Sequence, residues 1–308
     1  MVVIKMLLQR LTASMAIIIG ITLIAFLLSF LIPADPVRML AGRSATQETV
    51  ESIRHELGLD QPLPVQYLKY LTRLAHGDLG RSYKQKTEVS TLIWSRLPAT
   101  LMLMAGAIFF ELFIGIPAGI YAATRRGARG DKVAMILSFT GVSAPQFVVG
   151  LLLLYVFAYR LALFPLGGFG TFNHLILPAI TLGITGGGWY SRMMRSSMID
   201  VLQQDYIRTA RAKGLKEPSV VLIHAMRNAV LPVIAMIGLD IGFFMNGAVV
   251  VESVFGWPGI GQLAWQAIQV IDIPIIMGVT LVAALSIVIG NFLADLVMPL
   301  IDPRLRVR

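Results

Sequence analysis

The chain has 308 residues, 56% hydrophobic and 14% charged, with a mean hydropathy of +0.75, which excludes an ordinary soluble domain and fits a multi-span membrane protein. With no cysteine it excludes disulfides, thiolate catalysis and thiolate metal sites. The net charge of +9 lies in loops between apolar runs, so membrane topology accounts for it better than nucleic acid does.

Leu11 to Leu31 is 21 residues without a charge, preceded by Lys5 and Arg10. The run is too long for a signal peptide and no small-x-small cleavage site follows cleanly, so it reads as a retained first span with its N-terminus inside. Pro33 to Pro98 then forms the one sizeable segment on the outer side. There Ser44 and Gln47 suggest a capping box, with Val50, Ile53 and Leu57 on one helical face and Gly58 as the stop. Pro62 and Pro64 open a second helix, with Leu68, Leu71 and Ala75 on one face and Gly77 at its end.

Further spans are expected at 99–121, 133–157, 175–191, 229–251 and 273–297. The break at 124–132 holds Arg125, Arg126, Arg129 and Lys132, which marks it as cytoplasmic. Gly141 and Ser143-Ala144-Pro145-Gln146 interrupt the third span. The fourth is short and contains Pro178 and Gly186-Gly187-Gly188, but parity requires a crossing there to keep Arg160 and the basic stretch after Ser191 on opposite sides. The cytoplasmic segments then hold two, four, seven and three Lys/Arg, sixteen of the 26. Nine of the other ten sit in the long first outer loop, where the positive-inside rule loses force. Six helices with both termini inside, an all-α polytopic fold, is the consistent solution. It divides the chain into 1–98 (the first span, 11–31, plus an external loop) and a core of 99–308, with a cytoplasmic loop at 192–228.

That loop carries the most specific text. Asp205 can cap a helix over Tyr206 to Lys213, and Gly214 can end it in the left-handed conformation. Pro218 suits the first turn of a second helix running toward Asn228. The pattern predicts a rigid lever of two short helices joined at a glycine.

Little else points to chemistry. No G-x-x-x-x-G-K-[ST] occurs, so the chain has no P-loop for ATP. No H-E-x-x-H occurs and the four histidines are scattered, with His174 and His224 at span ends, so an enzyme is not expected. Glu111 is the thirteenth residue of the second span and Asp240 the twelfth of the fifth, which brings both near the midplane. A carboxylate there costs about 2.5–3.5 kcal/mol on insertion scales. Two readings stand: Glu111 and Asp240, with Asn246, line a solute pathway, or each acid is packed against polar groups of neighbouring helices, Asn246 or a partner subunit, or sits protonated. Asn291 and Asp295 read as helix-packing residues near the cytoplasmic end of the sixth span.

Arg208-Thr209-Ala210-Arg211-Ala212-Lys213-Gly214, His224-Ala225 and Arg227-Asn228-Ala229-Val230-Leu231-Pro232 resemble the cytoplasmic loop of ABC importer permeases, closest to the group serving peptides, nickel and related solutes. Arg208-Thr209-Ala210 stands where the wider class has Glu-Ala-Ala, and 18 positions separate Gly214 from Pro232; both departures are features of that group. Asp35-Pro36, Gly77-Asp78-Leu79-Gly80-Arg81-Ser82, Val254-Phe255-Gly256-Trp257-Pro258-Gly259-Ile260-Gly261 and Asp302-Pro303-Arg304 extend the likeness over the whole chain. The resemblance implies a permease subunit in the cytoplasmic membrane that moves peptides, or alternatively a nickel complex or glutathione. It implies a second similar permease, two ATPase subunits that bind the ATP, and an external solute-binding protein. Tyr206, Arg208, Thr209, Ala210, Arg211, Ala212, Lys213, Gly214, Arg227 and Asn228 would couple to the ATPase. A secondary transporter is the alternative class, but no internal inverted repeat is visible.

Overall fold

The computed structural model describes residues 2–31, Val37, 45–56, 58–245 and 247–301, with the side chains at 2–11, 13, 29–31, 53 and 294–301 outside that description. Asn246, Ser44, Leu57, the Asp35-Pro36 pair and the Asp302-Pro303-Arg304 tail, with the side chains of Ile53 and Asp295, therefore lie outside the described residues. The described residues form helices and no strand beyond one isolated bridge. In chain order the helices are α1 (Val2–Leu31), α2 (Gln47–Glu56), α3 (Leu63–Ala75), α4 (Val89–Thr124), α5 (Arg129–Ser143) and α6 (Gln146–Arg160). There follow α7 (Phe172–Leu202), α8 (Asp205–Ala212), α9 (Glu217–Ala229), α10 (Leu231–Met245), α11 (Val249–Phe255), α12 (Ile260–Gln269) and α13 (Ile273–Ile301). By length and apolar content, Val89–Thr124 and Ile273–Leu293 can each cross a membrane. The described residues give up to four crossings if the bent pairs α5–α6 and α9–α10 each count as one.

The chain divides into two compact units, one of residues 1–98 and 259–285, the other of 99–258 and 286–308. In the first unit, α3 packs on α1 through aromatic rings. Phe26 lies 5.3 Å from Tyr67 and 6.0 Å from Tyr70, and the Tyr67 hydroxyl meets Thr22 Oγ1 at 3.0 Å. The buried face of α3 is Gln66 and Tyr70, and the expected Leu68 is exposed. The aromatic docking surface on α1 overrode the aliphatic periodicity. Gly58 and Gly77 do stop their helices, at φ +65° and +77°.

In the second unit the expected interruption of the third span is a 100° bend between α5 and α6. Its cause is Pro145, which forces the preceding Ala144 into extended backbone (φ −72°, ψ 127°) and ends α5 at Ser143. The fourth expected span, 175–191, is by contrast unbroken: α7 runs 31 residues, about 46 Å at 1.5 Å per residue. It begins where Thr171 and His174 form a reciprocal capping box, so this histidine serves as a cap. The glycine triplet does not break α7 because neighbours fill the space that side chains would occupy. A Cβ on Gly186 would strike the Glu111 carboxyl, and one on Gly188 the Ser138 carbonyl. The fifth span, expected at 229–251, divides into α10, ending at Met245, and α11, starting at Val249.

Trp257 belongs to this unit's buried apolar core. Trp257 is fully buried, donates Nε1–H to the Ala99 carbonyl at 2.9 Å and meets Phe169 edge-on at 4.9 Å. Burying an indole requires that its N–H find an acceptor, which fixes the ring's direction.

Candidate functional site

The elbow formed by α8 and α9 is the candidate contact for an ATPase subunit. Asp205 is the first residue of α8 rather than its cap; Gln204 holds the cap position without a side-chain bond. Asp205 instead pairs with Arg208 at 3.3 Å along the exposed first turn. The turn between the helices is made at Gly214, φ +78°, where an added Cβ would meet nothing within 4 Å. The glycine is therefore required by backbone conformation and not by space.

Two side-chain contacts fix the elbow. Asn228 Nδ2 donates to the Tyr206 hydroxyl at 2.8 Å, joining α9 to α8. Arg211 forms a two-pronged pair with Glu217 across Gly214, at 2.6 and 3.0 Å. The guanidinium hydrogen bonds hold the Glu217 carboxyl below its ordinary value and raise Arg211 in return. Beneath them, Ile207, Ala210, Val220, Val221 and Ala225 form one buried cluster with Tyr190, Met194 and Met198 of α7. The elbow is thus clamped to the end of α7, with its corner at Gly214.

Arg208, Thr209, Arg211, Ala212, Lys213 and Arg227 are exposed, while Ala210 is buried with only 7% of its surface open. Ala210 was expected to face a partner; it faces inward because it follows Ile207 by one helical turn on the same apolar stripe. Leu222 and Ile223, which no sequence motif singled out, stand 58% and 64% exposed on α9. Val220, Val221 and Ala225 define the inner face of α9, so the same helical spacing places 222 and 223 outward. That was the available signal. The six residues Val220–Ala225 also make wider, π-helical turns, a local irregularity common at functional sites.

Glu111 and Asp240 do come together. The two acids lie near enough to act on each other electrostatically, and the Tyr190 hydroxyl donates to Asp240. Glu111 is buried and Asp240 only half-buried, so the packing reading fits Glu111 while Asp240 keeps an open side. Tyr190 was not foreseen; a tyrosine beside a glycine triplet gives no sequence signal of an acid two helices away.

With this arrangement in view, the comparisons with known proteins are decisive. A profile described as binding-protein-dependent transport system inner membrane component matches residues 115–307, and its N-terminal counterpart matches residues 3–104. The chain belongs to this family. It is a multi-pass inner membrane component of a binding-protein-dependent transport system, and its relatives include proteins named as peptide and glutathione permeases. A putative peptide permease protein of Brucella ovis is 43% identical over 313 residues, covering 97% of this chain and 98% of the relative. The glutathione transport system permease protein GsiC of Pectobacterium atrosepticum is 39% identical over 298 residues, 97% of each chain. The oligopeptide transport system permease protein AppB of Bacillus subtilis is 41% identical over 308 residues, 96% of this chain and 98% of AppB. Among solved structures, the MetNI methionine ABC transporter matches with a TM-score of 0.58 at 16% identity, over 68% of this permease and 96% of that chain, and shares its fold.

Proposed function

We propose that this permease works as one of two similar membrane subunits of an ATP-driven importer, beside two ATPase subunits and an external solute-binding protein. Its cargo is a peptide or a related small solute, with glutathione and a nickel complex as the alternatives. The chain crosses the membrane six times with both termini in the cytoplasm, in a first portion of residues 1–98 and a core of 99–308. No ATP or other cofactor is bound on the chain itself.

The observation that carries this reading is the locked elbow. A unit that transmits motion from an ATPase must be stiff inside and open outside, and α8–α9 combines two cross-links and a buried base with exposed Arg208, Thr209, Ala212, Lys213, Leu222 and Ile223. ATPase closure would push this elbow as one body with the end of α7 and tilt the bundle, alternating access between the two faces. Asp240, with its open side, is the pathway-facing acid of the pair, Glu111 is its buried partner, and Asn246 remains a pathway candidate.

Co-purification tests the assignment. The tagged permease is expected to retain ATPase subunits, and the complex reconstituted with its binding protein should take up solute only when ATP is supplied. Uptake driven by an ion gradient with no ATPase bound would make the chain a secondary transporter instead.

A further inference from the structure

In the first unit, residues 80–88 form a tight turn built around a carboxylate far along the chain. Asp272 is fully buried and accepts the Ser82 hydroxyl at 2.5 Å, the Tyr83 amide at 3.2 Å and the Lys84 amide at 3.1 Å. Ser82 Oγ accepts the Gln85 amide at 2.9 Å, the Ser82 amide donates to the Thr87 carbonyl at 2.9 Å, and Arg81 Nε donates to the Lys86 carbonyl at 2.6 Å. Arg81 and Glu88 close the turn as an antiparallel bridge.

Asp272 is itself held in place. The preceding Ile271 is left-handed at φ +56°, a conformation a β-branched residue adopts only when its surroundings enforce it. The Asp272 amide donates to the Ala267 carbonyl at 2.8 Å, and its carbonyl accepts the Ile276 amide at 3.1 Å, which fixes it at the start of α13.

Linking two helices needs no such anchoring. What the anchored turn displays is charge: Arg81, Lys84 and Lys86 are all exposed. Arg73 of α3 adds to them, close enough to act on the Tyr83 hydroxyl, which burial and then the Asp272 charge push up to about 12. Between Lys69 and Glu88 there are five Lys/Arg against two Asp/Glu.

We propose that this Asp272-anchored basic turn is where an acidic face of the external solute-binding protein docks. The inference rests on the importer reading and on the outer placement of residues 33–98. Complementary charge raises the encounter rate and suppresses wrong orientations. Three cations on a loose loop would steer a partner without orienting it, whereas a turn whose backbone is fixed by a buried carboxylate can do both. Asp272 is then a positioning residue, acting through Ser82, Tyr83 and Lys84.

The test uses the whole complex in nanodiscs of zwitterionic lipid and the binding protein encoded beside this chain's gene, with affinity measured at about 50 and about 300 mM salt. The native complex should bind less tightly at high salt. The pair Lys84→Glu, Lys86→Glu should weaken binding at least tenfold at low salt and flatten the salt dependence, with ATPase retention unchanged. Asp272→Asn should lower affinity about fivefold while keeping the salt dependence, because all three cations remain. Should that variant not fold, the exposed lysine pair alone decides between docking and its absence.

Unchanged affinity and salt dependence in the lysine pair would overturn the docking proposal, as would a loss seen only when anionic lipid is added, which would mean that the turn reads headgroups. A single cysteine at Gln85 should label from outside in intact cells; no labelling beside a labelled control would also overturn it. If the native complex bound no solute-binding protein at all, the importer reading itself would fall.

Discussion

The elbow at 205–229 and the acid crossing at Glu111, Tyr190 and Asp240 use polar residues in opposite ways. In the elbow the polar groups stand outside an apolar base, and the pairs that lock it are near in sequence: Arg211 with Glu217, Tyr206 with Asn228. Water competes for those groups, so each pair shapes the surface more than it stabilises the fold. At the crossing, three helices contribute one polar group each, from positions 50 or more apart in the chain. Around the buried Glu111 and Tyr190 no water substitutes for a lost partner. Substitutions on the outer face of the elbow should therefore spare stability and impair function, and those at the crossing should cost stability.

The largest effect is expected beside the crossing, at Gly188→Val. The new side chain would meet the Ser138 carbonyl and the Val142 side chain, and backbone cannot yield as a side-chain tip can. A loss of about 3 kcal/mol is expected, read as a lower melting temperature of the purified permease. Native-like melting would mean that α5 and α7 do not pack as described.

Next come the acids. Asp240→Asn keeps the shape and an acceptor for Tyr190, and Glu111→Gln keeps the shape of a buried side chain while removing its acid, so each should cost about 1 kcal/mol in stability. If Asp240 faces the pathway, Asp240→Asn should change the uptake rate while Glu111→Gln leaves it near native. Unchanged uptake in both variants would leave the pair a packing device only.

Two neighbouring alanines sharpen the comparison within the elbow. Ala210→Trp forces a large ring into the cluster beneath α8 and should destabilise by about 1–3 kcal/mol. Ala212→Trp projects outward and should leave melting unchanged while abolishing uptake and weakening ATPase retention. Gly214→Val falls between them, at about 1–2 kcal/mol, because only the backbone is strained. Equal behaviour of the Ala210 and Ala212 variants would contradict the assignment of inner and outer faces.

The smallest effect is that of pH on the Arg211–Glu217 pair. Its carboxyl is lowered in the folded state, so its contribution is fully present above the ordinary value of 4.5 and fades as pH falls through the lower folded value. Glu217 is 57% exposed, so solvent screening holds the gain to a few tenths of a kcal/mol. ATPase retention should be flat from neutral pH down to about 5, and Glu217→Gln should remove any further decline in acid.

How much of the molecule was legible in its sequence depended on the range over which each feature is decided. Apolar runs, basic loops, and the glycines and prolines that end helices act within a few residues, because backbone sterics and the need to satisfy N–H and C=O groups are local. The helical, membrane-spanning character, the elbow and its corner at Gly214 followed from them, as did the break at Pro145. Tertiary contact decided the rest. The glycine triplet at 186–188 reads as a break in isolation, yet in the bundle it is the groove that lets Glu111 and the Ser138 backbone approach α7. Ala210 and Ala212 have the same side chain, and only the cluster beneath α8 makes one inner and the other outer. Asp272 and Ser82 are 190 positions apart, and nothing local to either marks the other as its partner. A segment's own residues determine what it can do alone; which buried group meets which depends on helices crossing, and a crossing is a property of the packed chain.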